Sequence, residues 1–186
     1  DCLREAEIGL DDLDGIAFGQ GPGSFTGLRI ACGLALGLSV ARATPLLGVG
    51  TLDAMACISE GKRVFTLLDA RMGEVYAGFF VEGAQKGEIG VYSPENLPLP
   101  PDGGWLACGS GLALSGVRER LLSRVDTWMP DIAPCAKGVA RLAVARFAST
   151  KGIDPSEAVP LYVRDKVAKT IAERGAEEKK PRWSLP

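Results

Sequence analysis

Histidine is absent from the 186 residues of this sequence. Histidine is the commonest general base in enzymes and the commonest imidazole ligand of metals. A Ser-His-Asp hydrolase, a Cys-His protease and an H-E-x-x-H metalloenzyme therefore cannot be built from these residues alone. Chemistry that uses carboxylates or backbone amides remains open, and the sequence indicates no catalytic residue.

A strong charge of either sign is also lacking. The chain carries 21 Lys and Arg residues against 23 Asp and Glu residues, which gives a formal net charge of −2. A nucleic acid backbone is held mainly by a basic electrostatic field. We therefore expect no tight binding of nucleic acid by this chain alone.

The cysteines and the apolar segments exclude further classes. None of the five cysteines belongs to a C-x-x-C pair, so the sequence predicts neither a disulfide framework nor a structural zinc site. We expect reduced, mostly buried thiols and a cytoplasmic location.

The longest apolar stretch, from Ile30 to Ala41, is shorter than the roughly 20 residues that a membrane span needs. We expect no membrane segment, and no signal peptide is visible at Asp1.

The first third of the chain alternates strand and helix patterns. A short buried strand is predicted at 15–19, and it leads into a glycine-rich turn at 20–27 and a helix with small residues on several sides. A second strand is predicted at 45–50, with Thr51 as the N-cap of a short helix through Ile58. This alternation indicates a parallel α/β sheet whose glycine-rich turn lies at the carboxyl end of a strand, where such folds bind ligands.

The pattern changes near residue 62, where a second lobe is predicted to begin. Two β-rich runs, 63–68 and 74–81, are joined by a short turn and indicate a hairpin. The stretch that follows is rich in glycine and proline and contains one short predicted strand, 88–92.

Further elements are predicted in the second half of the chain. A strand at 105–108 precedes a helix that is predicted to carry Leu112, Val117, Leu121 and Leu122. Another helix spans about 137–150, and an apolar stripe along it predicts packing against the core. The stripe consists of Val139, Leu142, Ala143 and Phe147. The tail from Glu173 to Arg182 mixes both charge signs without apolar periodicity, which predicts a solvated or disordered segment.

The glycine-rich turn has two interpretations. Its glycines give G-x-G-x-x-x-G, one residue longer than the dinucleotide fingerprint, and no Lys stands in the P-loop position. The turn is either an ordinary tight turn or an anion or nucleotide contact at the start of a helix. The second interpretation involves Gly21, Gly23, Ser24, Thr26 and Arg29.

Four segments together resemble the bacterial TsaB (YeaZ) family. They are GQGPGSFTGLRI at 19–30, GVGTLDAM at 48–55, DARMGEVY at 69–76 and PLYVRDKVA at 160–168. The resemblance covers nearly the whole chain. It implies an α/β fold of the actin-like, Hsp70-like ATPase superfamily with two lobes.

The resemblance also implies how the chain divides. Residues 1–60 correspond to the remainder of the N-terminal actin-like lobe, which is truncated at its start. Residues 62–158 correspond to the second α/β lobe, and residues 159–186 to a C-terminal segment with the charged tail.

The function implied by the resemblance is that of a non-catalytic partner. The family supports the enzyme TsaD in making threonylcarbamoyladenosine in tRNA. TsaD and TsaE are then the expected partners, a homodimer is a further option, and tRNA is contacted only through the complex. No cofactor is expected in this chain, although ATP could bind at a partner interface. No metal site is expected either, because Thr51 and Met55 stand where TsaD has its two ligand histidines.

The small-residue helix is the predicted partner interface. Its contact residues are predicted to be Leu28, Ala31, Leu34, Ala35 and Leu38. The alternative is simple burial beneath the sheet, and both can hold on different faces. Likewise, Asp69, Arg71 and Glu74 are interpreted as a salt-linked turn, with a ligand-facing role as the alternative.

Two competing functions remain at the level of sequence. One is an actin-like nucleotide-binding ATPase that acts on its own. The other is a glycoprotease-like hydrolase, which lacks a visible general base because the chain has no histidine.

Overall fold

The computed structural model describes residues 2–164 as an α/β protein with two sheets. The strands are β1 Ile16–Gly21, β2 Leu46–Gly50, β3 Arg63–Arg71, β4 Glu74–Val81, β5 Ala84–Tyr92, β6 Trp105–Cys108 and β7 Val125–Met129. The helices are α1 Cys2–Glu5, α2 Phe25–Val40, α3 Thr51–Ser59, α4 Val117–Leu121 and α5 Ala136–Phe147. The predicted α/β class is therefore confirmed.

The first sheet contains the parallel pair β1 and β2, which α2 connects. Ser24 is the N-cap of α2, and its Oγ accepts a hydrogen bond of 3.4 Å from the Gly27 amide. The buried side of α2 packs on the sheet through Cys32 and Ala35, which join Phe18 in one core cluster. We call this sheet, with α2 and α5, the first lobe.

The second sheet has five strands in the order β5-β4-β3-β6-β7, and we call it the second lobe. The predicted hairpin is confirmed, because β3 and β4 pair antiparallel along their length. β6 pairs with β3 in parallel and β7 pairs with β6 in parallel, which makes the sheet mixed. The strand predicted at 88–92 is longer than expected and begins at Ala84.

Three local predictions were wrong in detail. Thr51 is the first helical residue of α3, and Gly50 is its N-cap. The single helix predicted after β6 is interrupted, because a 3-10 turn at Ser110–Ala113 is separated from α4 by Gly116, whose φ of 84° is left-handed. Leu122 was predicted to lie on this helix, but it follows the last residue of α4 and is exposed. Strand β7 was not predicted.

Helix α3 lies between the two lobes, and α5 packs against it. Gly138 of α5 faces α3 so closely that a Cβ there would lie 2.6 Å from the carbonyl oxygen of Ala54. Arg146 donates a hydrogen bond of 2.9 Å to Asp53. The apolar stripe predicted on α5 packs in the core cluster of β2, as expected. Helix α5 therefore packs on the first lobe, although its residues fall within the segment 62–158 that was predicted to form the second lobe. The predicted lobe boundaries stay predictions.

Some predictions lie outside the described residues. They are the charged tail at 173–182 and the last four residues of the segment 160–168. Within residues 2–164, no helix is long and apolar enough to cross a membrane.

Candidate functional site

A groove of about 1020 Å³ lies between the lobes, at the carboxyl ends of parallel strands. The first lobe contributes the end of β1 and the glycine-rich turn, and the second lobe contributes the end of β3. Thr51 and Cys135 stand at the starts of α3 and α5 along its wall. The glycine-rich turn therefore lies at the carboxyl end of β1, as predicted, which is where α/β folds commonly bind ligands.

The glycine-rich turn presents only part of the predicted anion set to the groove. Gly23 and Ser24 line it, but the Ser24 hydroxyl already caps α2. Gly21 is buried, and a Cβ there would lie 2.9 Å from the carbonyl oxygen of Leu161, so this position requires glycine for close packing. Gly21 therefore serves the packing of the turn.

Thr26 and Arg29 lie on the solvent side of the first turns of α2. The guanidinium of Arg29 stacks on the ring of Phe25, with 3.2 Å from its central carbon to the ring centroid. It also lies 5.4 Å from the ring of Tyr162. These contacts are cation–π interactions, and they hold Arg29 against two rings that line the groove although Arg29 itself does not line it.

The turn between β3 and β4 forms the opposite wall of the groove. Asp69 holds this turn, because its Oδ1 accepts a hydrogen bond of 2.7 Å from the Arg71 amide. Its second oxygen lies 3.3 Å from the Arg71 guanidinium, and its own amide donates to Ser110 Oγ. The contacts agree with a salt-linked turn for Asp69 and Arg71. Glu74 instead pairs with Arg164, which sequence reasoning did not find.

The cysteines near the core are poor nucleophiles. Burial raises the pKa of the Cys108 thiol to about 12, against a smaller opposing effect of a hydrogen bond with Ser59. Burial also raises the pKa of Cys32. Because the thiolate is the reactive form, both thiols stay protonated near neutral pH. Cys135 is exposed at the groove, and Cys2 is exposed at the start of α1.

Thr51 and Met55, the positions compared with the ligand histidines of TsaD, are both buried. Met55 is fully buried and packs with Val64 and Phe80 in the core between α3 and the second sheet. Thr51 is buried at the first position of α3. Among residues 2–164, no three Cys, Asp or Glu side chains are grouped as a metal site.

The helix α2 has one buried face and one exposed apolar face. Ala35 is 4% exposed and packs in the first-lobe core, which corrects its place in the predicted interface. Leu28, Ala31 and Leu38 are half-buried, and Leu34 is 62% exposed. The exposed face also includes Ile30, one turn before Leu34, which the prediction missed although the spacing of four residues is a helical signal.

Known proteins resemble this chain along most of its length. The family model of TsaD, tRNA N6-adenosine threonylcarbamoyltransferase, matches residues 1–91. The tRNA threonylcarbamoyladenosine biosynthesis protein TsaB of Escherichia coli K12 is 33% identical, over 90% of this chain and 78% of that protein. The protein of the same name from Haemophilus influenzae is 30% identical, over 90% of this chain and 77% of that protein.

Solved structures from Pseudomonas aeruginosa give the same relation. One is a protein described as similar to the peptidase YEAZ, with a TM-score of 0.80 and 35% identity over 88% of this chain and 80% of that chain. Another, YeaZ, has a TM-score of 0.78 and 35% identity over 86% of this chain and 79% of that chain. The chain therefore belongs to the TsaB (YeaZ) family.

Proposed function

We propose that this chain is a non-catalytic partner subunit of TsaD in the threonylcarbamoyladenosine modification of tRNA. We further propose that its two lobes have the actin-like fold. The observation that carries the proposal is the exposed apolar face of α2, which consists of Ile30, Leu34 and Val40 with Gly33 and Gly37 between them. The names of the relatives indicate the tRNA modification, and the exposed face of α2 offers a surface through which the chain can bind a partner.

The exposed face of α2 has the properties of a helix-pairing surface. Large apolar side chains at Ile30 and Leu34 stand in solvent, where they would gain free energy by burial against another protein. A Cβ built on Gly33 or Gly37 meets no other atom within 4 Å, so a second helix can approach the backbone there. The face therefore suits close packing of a partner helix.

The groove supports a partner role better than catalysis by this chain alone. The Asp69 carboxylate at the groove is already bonded within its own turn. In the proposed complex TsaE is a further member, tRNA is contacted through the complex, and the groove leaves room for ATP beside a partner.

The test is complex formation in solution. The 186-residue chain is mixed with TsaD, and size-exclusion chromatography with light scattering measures the mass. We expect a complex that Leu34→Arg weakens at least about thirtyfold, because a central apolar contact contributes about 2 kcal/mol or more. The same experiment on the chain alone reports a homodimer through this face.

Leu122→Arg is the matched control, since Leu122 is 63% exposed against 62% for Leu34 but lies after α4. It should leave the complex unchanged. Equal binding by both variants would remove α2 as the interface. No complex with either TsaD or a second copy would favour the nucleotide-binding ATPase, which calorimetric titration with ATP and magnesium then tests.

A further inference from the structure

The segment 159–164 crosses from the first lobe to the second along the groove, and we call it the cross-lobe strap. It contains the described part of the PLYVRDKVA segment. Four of its residues, Leu161 to Arg164, line the groove. It contacts the first lobe through hydrogen bonds with Gln20 and the second lobe through an ion pair with Glu74.

The first anchor of the cross-lobe strap is on the first lobe. The Leu161 amide donates a hydrogen bond of 2.8 Å to the backbone carbonyl of Gln20. The Gln20 side chain in turn donates to the carbonyl of Val159 at 3.1 Å. The ring of Tyr162 lies 6.3 Å from that of Phe25, at the start of α2. The strap is therefore fixed to the end of β1 by backbone and side-chain bonds.

The second anchor is Arg164, which reaches the turn between β3 and β4. Its Nη2 lies 2.6 Å from Glu74 Oε2 and donates to the Ala70 carbonyl at 3.0 Å. Its Nη1 contacts Met72 Sδ at 3.5 Å. Arg164 is 17% exposed, so this charge-assisted pair is screened less by water than a surface pair.

The turn that Arg164 contacts has an unusual backbone. Arg71 and Met72 have φ angles of 65° and 56°, and Gly73 follows at 75°. Left-handed conformations cost non-glycine residues free energy, and such residues persist where surrounding contacts hold them. Arg164 supplies contacts to this turn from outside the hairpin. The second anchor thus joins the strap to a turn whose backbone conformation is already defined by the hairpin.

We propose that the cross-lobe strap is a tether that fixes the two lobes at one angle and sets the width of the groove. Arg164 and Glu74 are its positioning residues on the second lobe. Helix α3 contacts both sheets, so the strap closes a second connection between the lobes. This inference concerns the chain alone and does not depend on the proposed complex.

Residual dipolar couplings of the ¹⁵N-labelled 186-residue chain test the tether. Amides of β1, β2 and α2 report the orientation of the first lobe, and amides of β3, β4 and β6 report the second. In the unmodified chain, one alignment tensor should fit both sets. In Arg164→Ala the two sets should require different tensors. Hydrogen exchange at the Leu161 amide should become about tenfold faster, because a charge-assisted anchor is lost.

Two further variants make the result specific. Arg71→Ala is the control, because Arg71 is in the same turn but its ion pair stays within that turn, and it should keep one tensor. Glu74→Gln removes the ion pair from the other side but leaves the bond from Arg164 to the Ala70 carbonyl, so it should show the same changes to a smaller extent. It also provides the readout if Arg164→Ala does not fold. One common tensor and unchanged Leu161 exchange in a folded anchor variant would overturn the proposal.

Discussion

Gly109 turns the chain directly after β6 with a left-handed backbone, at a φ of 109°. A Cβ there would lie 2.2 Å from the Leu67 carbonyl oxygen of β3 and 2.4 Å from the end of the Met55 side chain. The Met55 side chain could move, but the backbone of a central strand cannot. This position therefore combines two separate reasons for glycine.

Gly109→Ala is expected to lower the free energy of unfolding by at least about 2 kcal/mol, from backbone strain and overpacking together. Gly103→Ala is the matched control, because a Cβ at Gly103 meets no atom within 4 Å. It should change stability by about 0.5 kcal/mol or less. Urea unfolding of both variants, followed by tryptophan fluorescence, measures the difference. Equal stability of the two variants would contradict the close approach to β3.

At the scale of elements, one ion pair joins α5 to α3, and another joins α5 to Glu60, the residue that follows α3. Asp53 and Arg146 are 2.9 Å apart, and the Asp53 side chain is 15% exposed. Glu60 and Arg141 are 3.2 Å apart, and both side chains are exposed. Water screens the second pair far more than the first. The two pairs therefore contribute differently to stability although their distances are similar.

We expect Asp53→Asn to lower the free energy of unfolding by about 1 kcal/mol, because it weakens a largely buried charge-assisted bond. Glu60→Gln should cost about 0.5 kcal/mol or less. Thermal unfolding at low and at high salt measures both. The Glu60→Gln effect should fade with salt, and an Asp53→Asn effect no larger than the control would show that the buried pair adds nothing.

The elements also show how far the sequence predicts this fold. The β-rich composition of β3 and β4 predicted their hairpin, because strand-forming residues and a short turn between them are local signals. The broken helix after β6 was missed, because Leu112, Val117 and Leu121 were assigned to one helix although Gly116 interrupts the backbone between them. The interruption is a glycine in the left-handed conformation, which a pattern of apolar residues does not report.

The candidate site was predicted less completely than the fold. The glycine-rich turn lies at the groove, at the strand end where the sequence predicted it. Arg29 was predicted to belong to the anion contact, but its guanidinium stacks on the ring of Phe25. The pair of Glu74 with Arg164 spans 90 positions of the chain. No periodicity or spacing within one segment reports a contact of that length. Likewise, Ala35 is buried against the first sheet and Leu34 is exposed, and the sequence of α2 does not show which of its faces the sheet covers.

At the scale of the whole molecule, α3 belongs to both lobes. Met55 lies in the core cluster with Val64 and Cys108 of the second sheet. Ala54, the preceding residue, lies in the cluster with Val49 of the first sheet and Ala143 of α5. Because α3 loses both sets of contacts if it unfolds, neither lobe can release it without destabilising the other. The two lobes should therefore unfold together.

Two buried thiols allow this coupling to be measured directly. Cys32 lies in the core of the first lobe and Cys108 in that of the second, and both are protected in the folded chain. Pulsed alkylation across a urea series, read by mass spectrometry, should give the same midpoint for the two cysteines. Exposed Cys2 and Cys135 should react at every urea concentration and so calibrate the pulse. Reaction of Cys32 at lower urea than Cys108 would mean that α3 stays with the second sheet while the first lobe opens. The shared helix would then be a hinge support rather than the element that makes unfolding cooperative.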